Sequence, residues 1–451
     1  MNINDISIEN FKCFKQSTNV EFGKITLLTG ANSSGKSSII YSILGSLQSG
    51  EFPFNFSTNG KYVDMGDFQE IVHNHNRKEK INLGFTFKNG VIHKINTTWC
   101  EDKENNLPKL EKLKAISDYF TLEVNSKRDK YIVDFTYDPK KDPQNSTLTK
   151  EIYKKFFTSF SEVISSDEKS KNDKKDINKF IDDITAPQNI KGLVLDDIPL
   201  SDSANLEAKG MFKLKQIFDV ISKIFSDYDN KINFISSFRL RPERTYLEQT
   251  KSKLKVDSFG DGYLDQIIIW ESKDKKKFNQ LIQILKKLNL LDGIKSKRLE
   301  GGRYEIAVRI KQNGIDTSLS DVGFGISQFL PIIVADLQLP KESNLYIAQP
   351  EIHLHPSVQS SFGDYLIEQI KNESKSYVVE THSEYLLNKI RLGIVKNEIK
   401  EEDVKVFFVD SEDSSLHKIL FNKKGQILNA PKNFFKTYMM DVMEIAINAV
   451  E

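Results

Sequence analysis

Apolar positions along this chain follow different rhythms in its beginning, middle and end. Near the N-terminus, the runs Ile3 to Ile8 and Ile25 to Thr29 have the length and β-branched content of strands. Ile81 to Phe87 and Val91 to Ile95 flank Asn89-Gly90, the dipeptide that tight hairpins favour. Between about 101 and 230, Lys, Glu, Asp and Asn take over, and Ser165 to Lys179 is almost wholly polar. Such a stretch buries too little apolar surface to order itself, which predicts a helical insertion, partly mobile. From Asp274 to Leu291, Phe278, Leu281, Ile282, Leu285 and Leu288 return at helical spacing, opposite a lysine-rich face. Beyond that helix, strand-like runs (Tyr304 to Ile310, Leu345 to Ala348, Tyr377 to Glu380, Val404 to Val409) alternate with helical ones. The helical runs are Ser327 to Leu337, Ser357 to Ile370 and Glu384 to Leu392.

Strands alternating with helices imply an α/β fold with a mostly parallel sheet. The expected organisation is one discontinuous domain, with an N-terminal lobe at 1–100 and a C-terminal lobe at 304–410. The helical insertion (101–230) and an arginine- and lysine-rich connecting region (231–303) interrupt it, and 411–451 forms a tail with a terminal helix.

Composition narrows the class. The chain has 451 residues, 39% of them hydrophobic, enough for a substantial core and for two or three domains. Its 64 basic and 63 acidic residues leave a net charge of +1, without a global nucleic-acid or membrane signature. Cys13 and Cys100 lie far apart and lack metal-ligand spacing, which fits a reducing compartment and excludes a disulfide scaffold. The first residues form neither a basic segment nor an apolar run, and no stretch approaches the roughly 18 apolar residues of a membrane span. The expectation is a cytoplasmic protein that touches no membrane.

The clearest chemistry lies at Gly30-Ala31-Asn32-Ser33-Ser34-Gly35-Lys36-Ser37, a complete G-x-x-x-x-G-K-S phosphate loop between a strand and a helix. Its glycines let backbone N–H groups turn around an anion, and the helix N-terminus adds its positive dipole end. Lys36 is positioned for the β- and γ-phosphates of ATP, and Ser37 for Mg²⁺. A second anion site is suggested where Gly323 and Gly325 precede Ser327 and Gln328 at a helix start, though helix capping explains the same residues. Leu345 to Ala348 leads into Gln349-Pro350-Glu351-Ile352-His353-Leu354-His355-Pro356, a strand end of the kind that manages Mg²⁺ and attacking water. Tyr377 to Glu380 delivers His382 in the same way. His353, His355 and His382 also have spacing that admits a metal site.

Taken in order, these motifs resemble the SMC/RecF/OLD-like branch of ABC-type ATPases, and in particular the small anti-phage defence ATPases of Septu-type systems. The opening Ile6 to Phe14, the arginine-rich Phe238 to Arg244 and the tail from Lys424 to Phe435 have the same look. The resemblance covers roughly residues 1–100 and 230–451. It implies an ABC-type P-loop NTPase mixed sheet with flanking helices, and an ATPase that dimerises around ATP and regulates an effector such as an HNH-type nuclease. Gly30 to Ser37 would hold the triphosphate and Mg²⁺. Gly323, Gly325, Ser327 and Gln328 would face the γ-phosphate held by a second subunit, and His382 would sense that phosphate. Gln69 would join Mg²⁺ to its lobe, with Gln48 as the competing glutamine. Arg239, Arg241 and Arg244 would pair with phosphate or form structural salt bridges.

One position departs from that pattern. Ala348 stands where the family has an acid, and Gln349 cannot take a proton from water at neutral pH. Glu351 then serves as the base or only structures the turn. Two readings compete with effector control: an ATPase acting directly on DNA through the lysines between 251 and 298, and a non-hydrolysing scaffold gated by ATP.

Overall fold

The computed structural model describes residues 2–88, 90–128, 130–143, 186–196, 211–247, 255–431 and 434. Two compact units result: residues 1–20 with 42–228, and residues 21–41 with 229–451.

The second unit is built on a six-stranded sheet. Its spatial order is Ile232–Ile235, Asn344–Ala348, Ser376–Glu380, Ile25–Gly30, Val404–Val409 and Leu416–Ile419. Every pairing is parallel except the last. Ile25–Gly30 and Asn344–Ala348 are buried along their whole length, as expected where helices cover both faces of a parallel sheet. The helix Phe324–Gln338 is buried continuously from Ser327 to Leu337, and Phe329, Leu330, Ile332, Ile333 and Val334 are fully buried. Sequence-distant strands thus meet as the alternation implied, with the phosphate-loop strand inside the C-terminal sheet.

Two expected members of that sheet lie elsewhere. Arg303–Arg309 joins a four-stranded antiparallel sheet with Gly293–Leu299, Tyr246–Leu247 and Thr317–Ser318. Its Tyr304, Ile306 and Val308 are buried while the residues between them are not, the period-two pattern of a sheet covered on one face. Asn2–Glu9 belongs to the first unit, where it pairs with Ile81–Lys88.

That first unit is an eight-stranded sheet in which the described pairings are antiparallel. Its order is Thr18–Glu21, Asn2–Glu9, Ile81–Lys88, Ile92–Glu101, Pro108–Ser117, Phe120–Lys127, Lys130–Tyr137 and Gln188–Leu195. The described part of the expected helical insertion is therefore mainly strand, with one helix, Phe212–Asp229. Lys and Glu on the outward face hid the alternation: in Phe120–Lys127, Phe120, Leu122 and Val124 point inward and Thr121 and Glu123 do not. Phe225 of the helix meets Phe52 and Phe85 with ring centroids 4.5 and 5.2 Å away. The hairpin about Asn89-Gly90 forms, with Asn89 itself outside the described residues, as are Ser165 to Lys179 and the expected terminal helix. Among the described residues, no helix is long and apolar enough to cross a membrane.

Candidate nucleotide site

At the carboxyl end of Ile25–Gly30 the chain turns sharply into the helix Lys36–Gln48. Gly30 has φ of 140°, and a Cβ there would sit 2.3 Å from the Val409 carbonyl oxygen, so only glycine passes this point. Ala31, Asn32 and Ser33 are exposed, whereas Ser34 and Lys36 are buried. The Lys36 ammonium folds back on its own loop, donating to the carbonyls of Gly30 (3.2 Å) and Ala31 (2.6 Å). Burial lowers its pKa, and the Glu380 and Glu351 carboxylates pull the other way.

Ser37 Oγ donates to Glu380 Oε2 at 2.7 Å. Glu380 ends the neighbouring strand, is 5% exposed, and has its pKa raised by burial against the Ser37 hydrogen bond and the Lys36 charge. Motif reading names Ser37 and His382 and passes over this glutamate. The available signal is an acid closing an otherwise apolar, buried strand.

Glu351 sits in the turn after Asn344–Ala348. Its Oε2 accepts from Thr381 Oγ1 (2.8 Å) and its Oε1 from the His382 backbone N–H (2.6 Å). Burial raises its pKa, and those hydrogen bonds and the Arg239 charge oppose the rise. His382 is exposed at its surface edge, yet partial burial followed by the Lys36 charge keeps its imidazole below the usual range. Gln349 adopts φ of 47°; its N–H donates to the Glu380 carbonyl at 2.7 Å and its own carbonyl accepts from Arg239. Arg239 is buried, with Nη2 on the carbonyls of Ala348 (2.7 Å) and Gln349 (3.1 Å), Nη1 on Gln328 and Nε on Ser236. Burial lowers its pKa to about 10, which leaves it charged at neutral pH. Arg239 is thus a structural clamp on the strand end, while Arg244 pairs with Asp321 at 2.6 Å.

The residues expected to face a second nucleotide divide. Gly323 is exposed at the start of Phe324–Gln338, and nothing lies within 4 Å of where its Cβ would be. Gly325 is required by packing, since a Cβ there would come 2.2 Å from the His353 carbonyl oxygen. Ser327 is 1% exposed and donates to the Phe324 carbonyl at 2.9 Å. Gln328 is buried and its amide donates to the carbonyls of Arg239 and Leu240. The exposed positions here are Gly323 and Phe324 at the helix start, with the exposed Arg241 stacked over the Phe324 ring.

Gln69 belongs to the first unit, where its Oε1 accepts from Arg77. Gln48 is committed too, donating to the Ser57 and Val63 carbonyls and accepting from the Tyr62 and Val63 N–H groups. The structure does not bring His353, His355 and His382 together as ligands: His355 caps the helix Pro356–Glu373, His353 packs on Phe324, and no group of three or more metal-ligating residues occurs among the described residues. For Mg²⁺ that is no obstacle, because it takes one or two carboxylates plus phosphate oxygens. Ser37 and Glu380 are a hard oxygen pair that fits it.

A phosphate loop joining a central parallel strand to a helix, with a buried acid at its serine, defines a P-loop nucleotide-binding protein. Residues 1–387 match the AAA ATPase domain, and the chain belongs to that family. No curated protein matches. Among solved structures, the chain is similar to the Smc head domain with an extended coiled coil, bound to the C-terminal domain of ScpA, from Pyrococcus furiosus. Identity is 10% over 100% of this chain and 99% of that one, with a TM-score of 0.40. The SMC head domain from Thermotoga maritima is 11% identical over 94% and 100% of the two chains, with a TM-score of 0.35.

Proposed function

We propose that this protein is an ABC-type ATPase that binds ATP with Mg²⁺, pairs around the nucleotide, and regulates a partner effector, such as an HNH-type nuclease, in bacterial anti-phage defence. The nucleotide part rests on one observation, the cluster of Lys36, Ser37 and Glu380 at the carboxyl ends of adjacent parallel strands. Lys36 would leave the carbonyls of Gly30 and Ala31 for phosphate oxygens, and the N–H groups of the loop would cradle them. Mg²⁺, when bound, neutralises charge on the phosphates. His382, tied to Glu351 through its backbone, would face the terminal phosphate.

Pairing is supported by the exposed helix start at Gly323, an anion-binding end that the chain's own phosphate loop does not require. The buried Ser327 hydroxyl makes backbone N–H groups, and not that side chain, the donors toward a second copy's nucleotide. Effector control rests on the order of motifs in the sequence. A scaffold that binds ATP without hydrolysing it is favoured by Ala348 and Gln349.

Sedimentation with and without the analogue AMP-PNP, alongside phosphate release from ATP, tests the reading. The expected result is a nucleotide-dependent pair. Absence of nucleotide binding would refute the core of the proposal, and background phosphate release with intact binding would select the scaffold. Co-purification with the product of the neighbouring gene, with and without ATP, tests effector control; a neighbourhood of housekeeping recombination genes and no co-purifying protein would refute it.

A further inference from the structure

The strand end that lacks an acid lies beside one that carries it. Ala348 and Glu380 are register partners in adjacent parallel strands, and the Gln349 N–H ties the two ends together at the Glu380 carbonyl. Position 348 therefore offers only a methyl group, while the next strand offers a carboxylate directed at Ser37 Oγ, 2.7 Å away. A serine hydroxyl that gives its proton to a carboxylate keeps its lone pairs for a cation. The other acid of the region is occupied at both oxygens, Glu351 holding Thr381 and the His382 N–H.

We propose that Glu380 is the carboxylate by which this chain holds Mg²⁺ beside Ser37, filling the part left open at Ala348. The inference rests on the nucleotide reading above and assigns the metal side of that site. Taking a carboxylate this far out of water is costly, and the Ser37 hydroxyl is the hydrogen bond that offsets it. A divalent cation removes that cost, and two adjacent hard oxygens suit Mg²⁺ better than a softer metal. Glu351 is then a positioning residue, acting on His382 through the turn. Ala348 ceases to mean that the metal site is lost.

Mn²⁺ binding, followed by the electron paramagnetic resonance of the free ion with AMP-PNP present, tests the assignment. AMP-PNP binding in EDTA serves as the metal-free control. Glu380→Gln, which removes a negative charge from beside the phosphates, is expected to bind AMP-PNP in EDTA at least as tightly as wild type. It is expected to lose at least the roughly 10-fold in Mn²⁺ affinity that loss of an outer-shell partner costs. Glu380→Asp, which keeps the charge, is expected to fall between the two, and Glu351→Gln to keep wild-type Mn²⁺ affinity. Adding Ala348→Glu to Glu380→Gln is expected to restore most of the loss. Equal Mn²⁺ affinity in wild type, Glu380→Gln and Glu380→Asp overturns the proposal, as does a loss confined to Glu351→Gln. Failure of wild type to bind AMP-PNP in EDTA and in Mn²⁺ alike refutes the nucleotide reading itself, which separates the two failures.

Discussion

Glu351 offers the sharpest separation of charge from hydrogen bonding in the site. Its carboxylate accepts from Thr381 Oγ1 and from the His382 N–H, yet its pKa is raised, so burial outweighs the hydrogen bonds and Arg239 together. In Glu351→Gln the amide oxygen accepts from the His382 N–H and the amide NH2 donates to Thr381 Oγ1, whose hydroxyl turns to accept. Two charge-assisted hydrogen bonds thus become neutral ones, each weaker by about 1 kcal/mol. The substitution also removes the cost of burying a charge, which the raised pKa shows to outweigh those hydrogen bonds and the Arg239 charge. The expected net effect is between about zero and 2 kcal/mol of added stability near pH 8. Glu351→Ala instead leaves both donors without an acceptor, at about 1–3 kcal/mol apiece, and is expected to lower stability. The pH dependence has a definite sign. A carboxyl whose folded pKa is raised contributes stability below its unfolded pKa and loses it as pH rises through the folded value. Wild type should therefore approach Glu351→Gln as pH falls into the carboxylate range, and lag behind it at pH 8. Thermal melting of wild type, Glu351→Gln and Glu351→Ala at pH 5 and pH 8 measures this. A Glu351→Gln protein that melts as low as Glu351→Ala at pH 8 would refute the reasoning, because burial would then not outweigh the hydrogen bonds.

Lys36→Ala removes the loop ammonium from the phosphate side, and equilibrium binding of AMP-PNP should weaken by about 10- to 100-fold, the worth of a charged hydrogen bond or two. Arg239→Met strips the donors from the carbonyls of Ser236, Gln328, Ala348 and Gln349. The expected loss of stability is at least about 3 kcal/mol by denaturant unfolding; Arg239→Lys should recover little of it, since an ammonium cannot reproduce the planar fork. Gly325→Ala forces the helix start away from the His353 carbonyl, costing about 1–3 kcal/mol. Nucleotide-dependent pairing in sedimentation should fall with it, whereas Gly323→Ala, which has open space for its methyl, should spare stability.

Much of the nucleotide-binding unit was legible along the chain. The strands Asn344–Ala348, Ser376–Glu380 and Val404–Val409 and the helices between them appear within a few residues of where the apolar periodicity put them. Those signals are local: a strand buried on both faces is apolar throughout, and a packed helix repeats every three to four residues. The later strands of the first unit were hidden, because on Pro108–Ser117 and Lys130–Tyr137 the outward residues are mostly Lys, Glu, Asp and Thr. Charged composition there marks one wet face of a sheet, not a failure to build a core.

By itself, the sequence determined that this protein carries a phosphate loop in a strand–helix setting and an alternating α/β core, since glycine, lysine and apolar spacing act over a few residues. Tertiary structure alone decided which acid serves that loop. Ser37 and Glu380 are 343 positions apart, and only the parallel register of Ser376–Glu380 between Asn344–Ala348 and Ile25–Gly30 brings the carboxylate to the hydroxyl. Burial made the other decisions: it closed Ser327 and Gln328 inside the fold and turned Arg239 into a clamp. Side-chain identity sets what a residue can do, but which neighbours and how much water it meets depend on strands drawn together from opposite ends of the chain.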